Sequence, residues 1–150
     1  MSDMAIVALD AMGGDYAPAE QVKGAAEAVN ERDDIKVLLV GDKTKIEEEL
    51  DKYTFDKEKI EVVHASEVIL NDESPTKAIR EKKDSSIVVA MRLVHEGKAD
   101  AVVSSGSTGA LLVGGQLLVG RIKGIKRTPL APFIPTRKGA SLLIDCGANV

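Results

Sequence analysis

Short apolar runs alternate along this chain with segments in which apolar residues recur at helical spacing. The first run, Met4–Leu9, is almost wholly apolar and stops at Asp10, as expected of a strand that is covered on both faces. After a glycine-containing loop, apolar side chains from Val22 to Val29 repeat along one face of a helix. Strands that alternate with helices in this way predict an α/β fold with a mainly parallel sheet.

The alternation continues to the end of the chain. The predicted strands are Met4–Leu9, Ile35–Val40, Ile60–Val63, Ala101–Val103 and Ser141–Ile144. The predicted helices begin at Pro18, at a capping box formed by Thr44 and Glu47, at Pro75, at Ser86 and after Thr108. Three turns follow the first, fourth and last strands, namely D-A-M-G-G-D, S-S-G-S-T-G and D-C-G-A-N. Because parallel strands end at one edge of a sheet, these turns are predicted to meet where α/β proteins bind ligands.

Composition narrows the class of protein. A chain of 150 residues suits about one domain, and 20 basic against 24 acidic residues give a net charge of −4. That balance argues against a general nucleic-acid binder. The single cysteine, Cys146, excludes an internal disulfide and suits a reducing cytoplasm. The longest apolar-rich run, Ala110–Val119, is too short to cross a bilayer, so a buried helix is predicted there.

The turn S-S-G-S-T-G, residues 104–109, begins a predicted helix. The N-terminus of a helix presents unpaired amides and a partial positive charge, which together attract anions. Gly106 and Gly109 would let a ligand approach the backbone, and the hydroxyls beside them can donate hydrogen bonds. The turn is neither a Walker A loop nor a dinucleotide fingerprint. Two interpretations stay open, a phosphate site and a helix cap with a permissive turn.

Other reactive side chains give weaker signals. Asp10 and Asp15 flank two glycines, where a carboxylate can act as a base, orient a hydroxyl or bind a cation. Alternatively, both carboxylates are purely structural, Asp10 at the end of a strand and Asp15 just before a helix whose dipole favours a negative charge. This structural interpretation is preferred for Asp15, and for Asp10 both interpretations stay open. His64 and His95 lack partners at ligand spacing and are expected to be structural or solvated, and no metal site is predicted. Cys146 is expected to be a small buried hydrophobic residue.

Two basic clusters stand out against the acidic total. The first holds Arg80, Lys82 and Lys83, and the second holds Arg121, Lys123, Lys126, Arg127, Arg137 and Lys138. Such residues can form a solvated face, or they can steer an acidic partner or neutralise a bound phosphate. The second cluster lies around a segment with three prolines, which is predicted to be extended or irregular.

Seven stretches of the chain together resemble one protein family. They are I-V-A-L-D-A-M-G-G-D-Y-A-P, L-V-G-D-K-T-K-I, H-A-S-E-V-I, K-K-D-S-S-I, A-D-A-V-V-S-S-G-S-T-G-A-L-L, G-R-I-K-G-I-K-R-T-P-L-A-P and D-C-G-A-N-V. Their order and spacing resemble those of the PlsX-type bacterial phosphate acyltransferases, which are longer chains. The resemblance is therefore to the N-terminal half of that family. We expect residues 1–150 to be the first part of a single α/β fold, truncated at its C-terminus.

The resemblance implies that inorganic phosphate takes the acyl group of acyl-acyl carrier protein, giving acyl phosphate for phospholipid synthesis. It also implies a three-layer α/β/α fold like that of isocitrate and isopropylmalate dehydrogenases, a homodimer and no cofactor. The enzyme would be cytoplasmic and able to associate peripherally with the membrane. Because phosphate itself attacks the thioester, and a thiolate with a reference pKa of about 8.5 leaves readily, the protein needs no nucleophile of its own. It must hold phosphate and stabilise the developing oxyanion.

With this reaction in view, the candidate residues receive expected roles. Phosphate or the oxyanion is expected at Ser105, Gly106, Ser107, Thr108 and Gly109. The expected catalytic residues, at the border of the pocket, are Asp10 and Asn149. The acidic acyl carrier protein is expected to dock on Arg121, Lys123, Lys126 and Arg127.

Three alternatives compete with this interpretation. A nucleotide-dependent dehydrogenase could share the fold, although the dinucleotide fingerprint is missing. A phosphotransacetylase-like enzyme would use phosphate with acyl-coenzyme A instead of acyl-acyl carrier protein. This chain alone would be inactive if the rest of the fold is needed to complete the pocket.

Overall fold

A computed structural model describes residues 4–126 and 128–144 and contains one sheet of four parallel strands. In chain order these strands are β1 (Ala5–Asp10), β2 (Ile35–Gly41), β3 (Ile60–His64) and β4 (Ala101–Val103). Across the sheet the order is β3-β2-β1-β4, so the chain builds outward from β1 and then crosses back to its other side. The predicted mainly parallel α/β fold is confirmed.

Two helices cover one face of the sheet. They are α1 (Ala19–Glu31) and α2 (Lys43–Leu50). In β2, Val37 and Leu39 pack with these helices, whereas the alternate residues Leu38 and Val40 belong to the core on the opposite face. A strand that buries both faces needs an almost continuous apolar run, which is what the sequence of β2 supplies.

Helices also cover the opposite face. They are α3 (Pro75–Glu81), α4 (Ser86–His95) and α5 (Thr108–Gly114). Val89 and Ala90 of α4 pack on the sheet, while Met91 packs with residues of α3 and α5. Helix α5 continues directly into a π-helical segment, Gly115–Val119. Helices on both faces of the sheet make the three predicted layers.

The start of α2 differs from the sequence prediction. The N-cap is Asp42, whose Oδ1 accepts a hydrogen bond from the Lys45 amide at 3.3 Å. Thr44, the predicted cap, is already inside the helix. Both residue types cap helices well, so the choice between them follows from where β2 ends, at Gly41.

The last predicted strand does not join the parallel sheet. Instead, β5 (Phe133–Thr136) and β6 (Gly139–Leu142) form a separate antiparallel hairpin. Gly139 closes its turn at φ +134, a conformation that favours glycine. The prediction of a parallel strand at Ser141–Ile144 is therefore wrong, because this segment pairs locally across a short turn. The third predicted turn, residues 145–149, lies outside the described residues, and its meeting with the other two turns stays a prediction.

Candidate functional site

The carboxyl ends of β1 and β4 lie side by side because these two strands are neighbours in the sheet. From β1 the chain continues to α1 on one face, and from β4 it continues to α5 on the other. The two connections diverge to opposite faces of the sheet, and we call the place where they diverge the crevice. In open α/β sheets, ligands bind at such a place. Two of the predicted turns, residues 10–15 and 104–109, flank this crevice.

Asp10 links the two turns from its position at the end of β1. It is only 2% exposed, and its Oδ2 accepts a hydrogen bond from the Ser104 hydroxyl at 2.7 Å. Its Oδ1 accepts one from the Met12 amide at 3.2 Å. The Gly106 amide in turn donates to Ser104 Oγ at 3.1 Å. Because a buried carboxylate is costly without such partners, Asp10 and the turn after β4 hold each other in place.

Two glycines let the turns touch. A Cβ atom at Gly13 would lie 2.5 Å from Asp10 Oδ2 and 2.9 Å from the Gly106 nitrogen. A Cβ atom at Gly106 would lie 3.1 Å from the Gly13 Cα. The absence of side chains at these positions therefore serves the close approach of one backbone to the other. This is a structural task for Gly106 beside the ligand approach that the sequence suggests.

A second set of hydrogen bonds joins the turns through Gln21, in the first turn of α1. The Ser105 hydroxyl donates to the Gly13 carbonyl oxygen at 2.9 Å. Gln21 Nε2 donates to the same carbonyl oxygen, and also to Ser105 Oγ at 2.9 Å. The sequence did not indicate this role, because a polar residue in the first turn of an amphipathic helix is usually solvated.

Helix α5 begins in the crevice. Ser107 caps it, accepting a hydrogen bond from the Ala110 amide at 3.3 Å, and is itself 8% exposed. Thr108 is exposed, and the Thr108 and Gly109 amides have no hydrogen-bond acceptor among residues 4–126 and 128–144. These two amides and the Thr108 hydroxyl are the donors that the turn leaves for a ligand.

Gly109 also has a packing task. A Cβ atom there would lie 2.6 Å from Cγ of Pro75, the first residue of α3. Glycine thus lets the N-terminal ends of α3 and α5 meet. In S-S-G-S-T-G, Ser107 caps α5 and Gly109 packs, while the Thr108 and Gly109 amides stay free to donate among the described residues. The phosphate site stays a prediction.

The remaining predicted residues either lie apart from the crevice or fall outside the described residues. Arg121, Lys123 and Lys126 are exposed in the segment that follows the π-helical segment. Arg121 Nη1 donates to the Lys126 carbonyl oxygen at 2.6 Å. Asn149 and Arg127 lie outside the described residues. In the described part of the chain, no Lys or Arg side chain takes part in the hydrogen bonds that join the two turns.

The other candidate side chains lie apart from the crevice or outside the described residues. His64 ends β3 and accepts a hydrogen bond at Nδ1 from the Lys43 amide, and His95 ends α4. Cys146 lies outside the described residues. Among the residues that the structure describes, no group of three or more His, Cys, Asp or Glu side chains is placed to hold a metal ion.

The turn after β3 is held by a different carboxylate. Asp84 Oδ2 accepts hydrogen bonds from the Ser66 hydroxyl at 2.6 Å and from the Ser66 amide at 2.9 Å. These hydrogen bonds favour the charged carboxylate and lower the pKa of Asp84 below its usual value. These hydrogen bonds attach the turn after β3 to the segment before α4, two strands away from the crevice.

Comparison with known proteins gives a family match over nearly the whole chain. A family model described as "Fatty acid synthesis protein" matches residues 5–150. The phosphate acyltransferase of Clostridium kluyveri is 56% identical over 145 residues, which is 97% of this chain and 43% of that relative. The phosphate acyltransferase of Clostridioides difficile is 52% identical over 144 residues, which is 95% of this chain and 42% of that relative. The chain thus spans less than half the length of these relatives, and the resemblance to the phosphate acyltransferases is confirmed.

Two solved structures are similar in fold. A phosphotransacetylase from Streptococcus pyogenes superposes with a TM-score of 0.66 at 16% identity, covering 98% of this chain and 48% of its own. The EutD phosphotransacetylase from Staphylococcus aureus gives a TM-score of 0.60 at 21% identity, covering 97% of this chain and 47% of its own. Identities this low show a shared fold alone.

Proposed function

The chain belongs to the fatty acid synthesis protein family, and from that premise we propose that it supplies the phosphate-binding part of an acyltransferase. The enzyme moves a fatty acyl group from acyl-acyl carrier protein to inorganic phosphate, giving acyl phosphate for phospholipid synthesis. The sequence resemblance and the names of the relatives support this reaction. Residues 1–150 form the N-terminal part of one α/β fold, which the additional length of the relatives completes.

The observation that carries the proposal concerns the hydrogen-bond donors of the crevice. Among the described residues, the amides at the start of α5 have no acceptor, whereas the serine hydroxyls of the turn after β4 already have hydrogen-bond partners. The Ser104 and Ser105 hydroxyls donate to Asp10 and to the Gly13 carbonyl oxygen. The third serine of the turn caps α5. An enzyme whose nucleophile comes from solution needs donors that hold and polarise its substrates, and it needs no activated serine.

The geometry of α5 suits the proposed chemistry. The amides of Thr108 and Gly109 hold phosphate against the thioester carbonyl. One phosphate oxygen bonds to the carbonyl carbon, and the displaced electron pair gives an oxyanion, which donors at the same helix end stabilise. When the oxyanion collapses, the carbon–sulfur bond breaks and its electron pair leaves with sulfur as the thiolate. With a thiol pKa of about 8.5, this departure needs no strong acid.

Asp10 acts in this scheme as a positioning residue. Its carboxylate oxygens already accept hydrogen bonds from Ser104 and Met12, and its negative charge would repel a phosphate dianion in direct contact. It therefore holds the turn after β4 at the distance that phosphate requires. Asn149, the other residue predicted to be catalytic, lies outside the described residues, and we propose that it borders the same pocket.

The test of this function uses a chimera that joins residues 1–150 to the C-terminal part of the Clostridium kluyveri relative. We expect the chimera to form acyl phosphate from acyl-acyl carrier protein and phosphate, and this chain alone to be inactive. Replacing Ser107 and Thr108 together by alanine should raise the KM for phosphate about tenfold or abolish turnover. Thr44→Ala, an exposed threonine at the start of α2, is the matched control and should change nothing. Unchanged kinetics in the double variant would refute the assignment.

Docking of acyl carrier protein is proposed on the cations Arg121, Lys123, Lys126 and Arg127. The first three are exposed, which suits contact with an acidic partner. Charge reversal at Arg121 and Lys123 should raise the KM for acyl-acyl carrier protein, and the increase should shrink as salt rises. Lys23→Glu with Lys57→Glu makes the same change in net charge at two other exposed positions. Equal effects of the two pairs would show a net-charge effect and contradict a docking site.

A phosphotransacetylase-like reaction with acyl-coenzyme A is the second candidate. The shared fold of the two phosphotransacetylase structures favours it. Measuring kcat/KM of the chimera with acyl-acyl carrier protein and with the matching acyl-coenzyme A decides between them. A preference for the coenzyme A ester would replace the first proposal with this one.

The proposal extends to a homodimer in the cytoplasm, with peripheral contact to the membrane, on the basis of the resemblance. Within the described residues, no helix has the length and apolar character needed to span a membrane. Sedimentation of the chimera measures its oligomeric state, and flotation with vesicles measures its association with lipid.

A further inference from the structure

Gln21 connects the two turns of the crevice, and the proposed reaction gives it no task so far. It lies in the first turn of α1, 84 residues before Ser105, which it contacts. Its Nε2 donates to the Gly13 carbonyl oxygen and to Ser105 Oγ, at 2.9 Å for the latter. Its other end, Oε1, is buried and has no donor among the described residues. The Gln21 amide thus makes two hydrogen bonds through Nε2, while its Oε1 stays buried without a donor in the described part of the chain.

The chemistry of the neighbours determines which way the amide faces. The Gly13 carbonyl can only accept, so it requires the NH₂ group of Gln21. The Ser105 hydroxyl uses its proton on the same carbonyl at 2.9 Å, which leaves its oxygen to accept from Nε2. With the amide reversed, Oε1 would face the Gly13 carbonyl oxygen, and that contact would become repulsive. The three groups form a closed set of hydrogen bonds, which we call the Gln21 latch.

The latch leaves no room for a side chain at the neighbouring glycine. Gly14 has φ +112, and a Cβ atom there would lie 2.9 Å from Gln21 Nε2 and 3.2 Å from Ser105 Oγ. Position 14 therefore needs glycine for two reasons, its positive φ and the space that the latch occupies. The turn after β1 is shaped to receive Gln21 from one side and Ser105 from the other.

We infer that Gln21 is a positioning residue for the phosphate site, acting through Ser105 on the start of α5. The inference rests on the proposed function. The latch and the Asp10–Ser104 hydrogen bond attach adjacent residues of the turn after β4 to the turn after β1. Together they set the position of the free Thr108 and Gly109 amides relative to the sheet. Without Gln21, the Ser105 hydroxyl keeps its hydrogen bond to the Gly13 carbonyl oxygen but loses the donor that braces it. The Thr108 and Gly109 amides can then shift, which weakens phosphate binding more than it weakens the fold.

The experiment compares two amide side chains on one helix. Asn30, near the other end of α1, also donates to a backbone carbonyl, that of Thr54, at 2.8 Å. Gln21→Leu and Asn30→Leu in the chimera therefore remove similar hydrogen bonds at the two ends of α1. We expect Gln21→Leu to raise the KM for phosphate about tenfold, with less than about a twofold change in the KM for the acyl donor. Asn30→Leu should change neither constant.

Gln21→Glu adds a readout that a general loss of stability would not produce. As a carboxylate it has no proton to donate to the Gly13 carbonyl, but as a carboxylic acid it can donate one. The ratio of its KM for phosphate to that of the parent chimera should therefore fall as the pH is lowered. A ratio that does not change with pH would contradict the latch. Ser105→Ala, which removes the hydroxyl and keeps the backbone, should give a smaller increase in the same KM and serves if Gln21→Leu does not fold.

Hydrogen exchange separates failure of this inference from failure of the proposed function. In this chain, Gln21→Leu should speed exchange of the Gly106 amide relative to Asn30→Leu, whether or not the chimera makes acyl phosphate. If the parent chimera forms no acyl phosphate but exchange quickens, the proposed function fails and the latch stands. If the two leucine variants raise the KM for phosphate equally, or exchange alike at Gly106, Gln21 has no positioning role.

Discussion

The two ends of α5 lead into regions that are held together in different ways, one by long-range contacts and the other by local strand pairing. At its N-terminal end, the turns after β1 and β4 are joined by hydrogen bonds between residues more than ninety positions apart in sequence. Beyond its C-terminal end, the β5–β6 hairpin pairs within itself and exposes apolar side chains. Phe133 is 74% exposed and Leu142, its partner in register, is 49% exposed.

The difference shows which residues the fold of this chain constrains. In the crevice, a methyl group added at Gly13 or Gly109 would collide with another segment of the same chain. In the hairpin, apolar residues find no cover among the residues that the structure describes. Substitutions should therefore be costly in the first region and almost free in the second, although the second is more apolar.

Within the crevice, the largest effect on stability and turnover together is expected for Gly13→Ala. Its Cβ atom would lie 2.9 Å from the Gly106 backbone nitrogen in the opposite turn, so the turns must separate, lowering the free energy of unfolding by about 1–3 kcal/mol. The same separation should abolish most of the turnover of the chimera. Urea unfolding of this chain and acyl phosphate formation by the chimera measure the two effects.

Gly24→Ala is the matched control for that substitution. Gly24 lies within α1, and a Cβ atom there would meet nothing within 4 Å. Alanine should raise the free energy of unfolding by about 0.5–1 kcal/mol, because glycine is the poorer helix residue. If Gly13→Ala were as well tolerated as Gly24→Ala, the crevice would not depend on close contact of the turns.

A loss of unfolding free energy in the same range is expected for Asp10→Ala. It leaves the Ser104 hydroxyl and the Met12 amide without their acceptor, which should cost about 1–3 kcal/mol of unfolding free energy. Asp10→Asn keeps the shape and one carbonyl oxygen and should lose less. A chimera in which Asp10→Asn loses as much phosphate affinity as Asp10→Ala would point to a need for the charge itself.

An acid-dependent effect is expected at Asp84, outside both regions. Hydrogen bonds from Ser66 lower the pKa of Asp84, so its contribution to stability is present above the unfolded-state pKa of about 3.9. That contribution is lost as the pH falls through the lower pKa of the folded state. Asp84→Asn should thus lower the Tm at pH 7, and the difference from the parent should close in strong acid.

Asp72→Asn serves as the control for this pH dependence. Its carboxylate has no hydrogen bond or ion pair with any residue that the structure describes. The Tm of this variant should follow that of the parent at every pH. A gap between Asp84→Asn and the parent that persists at low pH would show that the Ser66 hydrogen bonds do not depend on the carboxylate charge.

The smallest effect is expected in the hairpin. Replacing Phe133 and Leu142 together by serine should change the unfolding free energy of this chain by no more than about 0.5 kcal/mol. Leu39→Ala, at a fully buried position of β2, should cost about 2–5 kcal/mol in the same urea titration. A large loss in the serine variant would show that the hairpin packs on the body of the chain in solution.

Much of the fold could be predicted from the sequence because each strand carries its own burial pattern. The run around Leu38 and Leu39 is apolar on both faces, and this is possible only between two helical layers. The local sequence does not fix which residue begins α2, since Asp42 and Thr44 are both good caps. The predicted strand Ser141–Ile144 has the apolar character of a central strand, so its pattern alone did not reveal that β6 pairs with β5.

The position of the candidate site could be predicted from the sequence, but the hydrogen bonds within it could not. The turns at Asp10 and Ser104 follow apolar strands, and this is enough to assign them to the ligand-binding edge of a parallel sheet. The partners of Ser105 and Gln21 could not be predicted, because hydrogen bonds across about ninety residues leave no periodic signal. The task of Gly109 against Pro75 was equally hidden, since a glycine that makes room for a helix resembles one that makes room for a ligand.

The sequence by itself determined the class of fold and the turns that form the candidate site, because apolar periodicity records which faces of an element are buried. It also determined the family, since the motifs recur in order from Met4 onward. Only the tertiary structure decided that β4 lies beside β1, and therefore that their two turns meet. It alone showed which hydroxyls are already engaged and which amides of α5 remain free. Lateral strand order and hydrogen-bond partnership are properties of contacts between distant segments, and no local pattern encodes them.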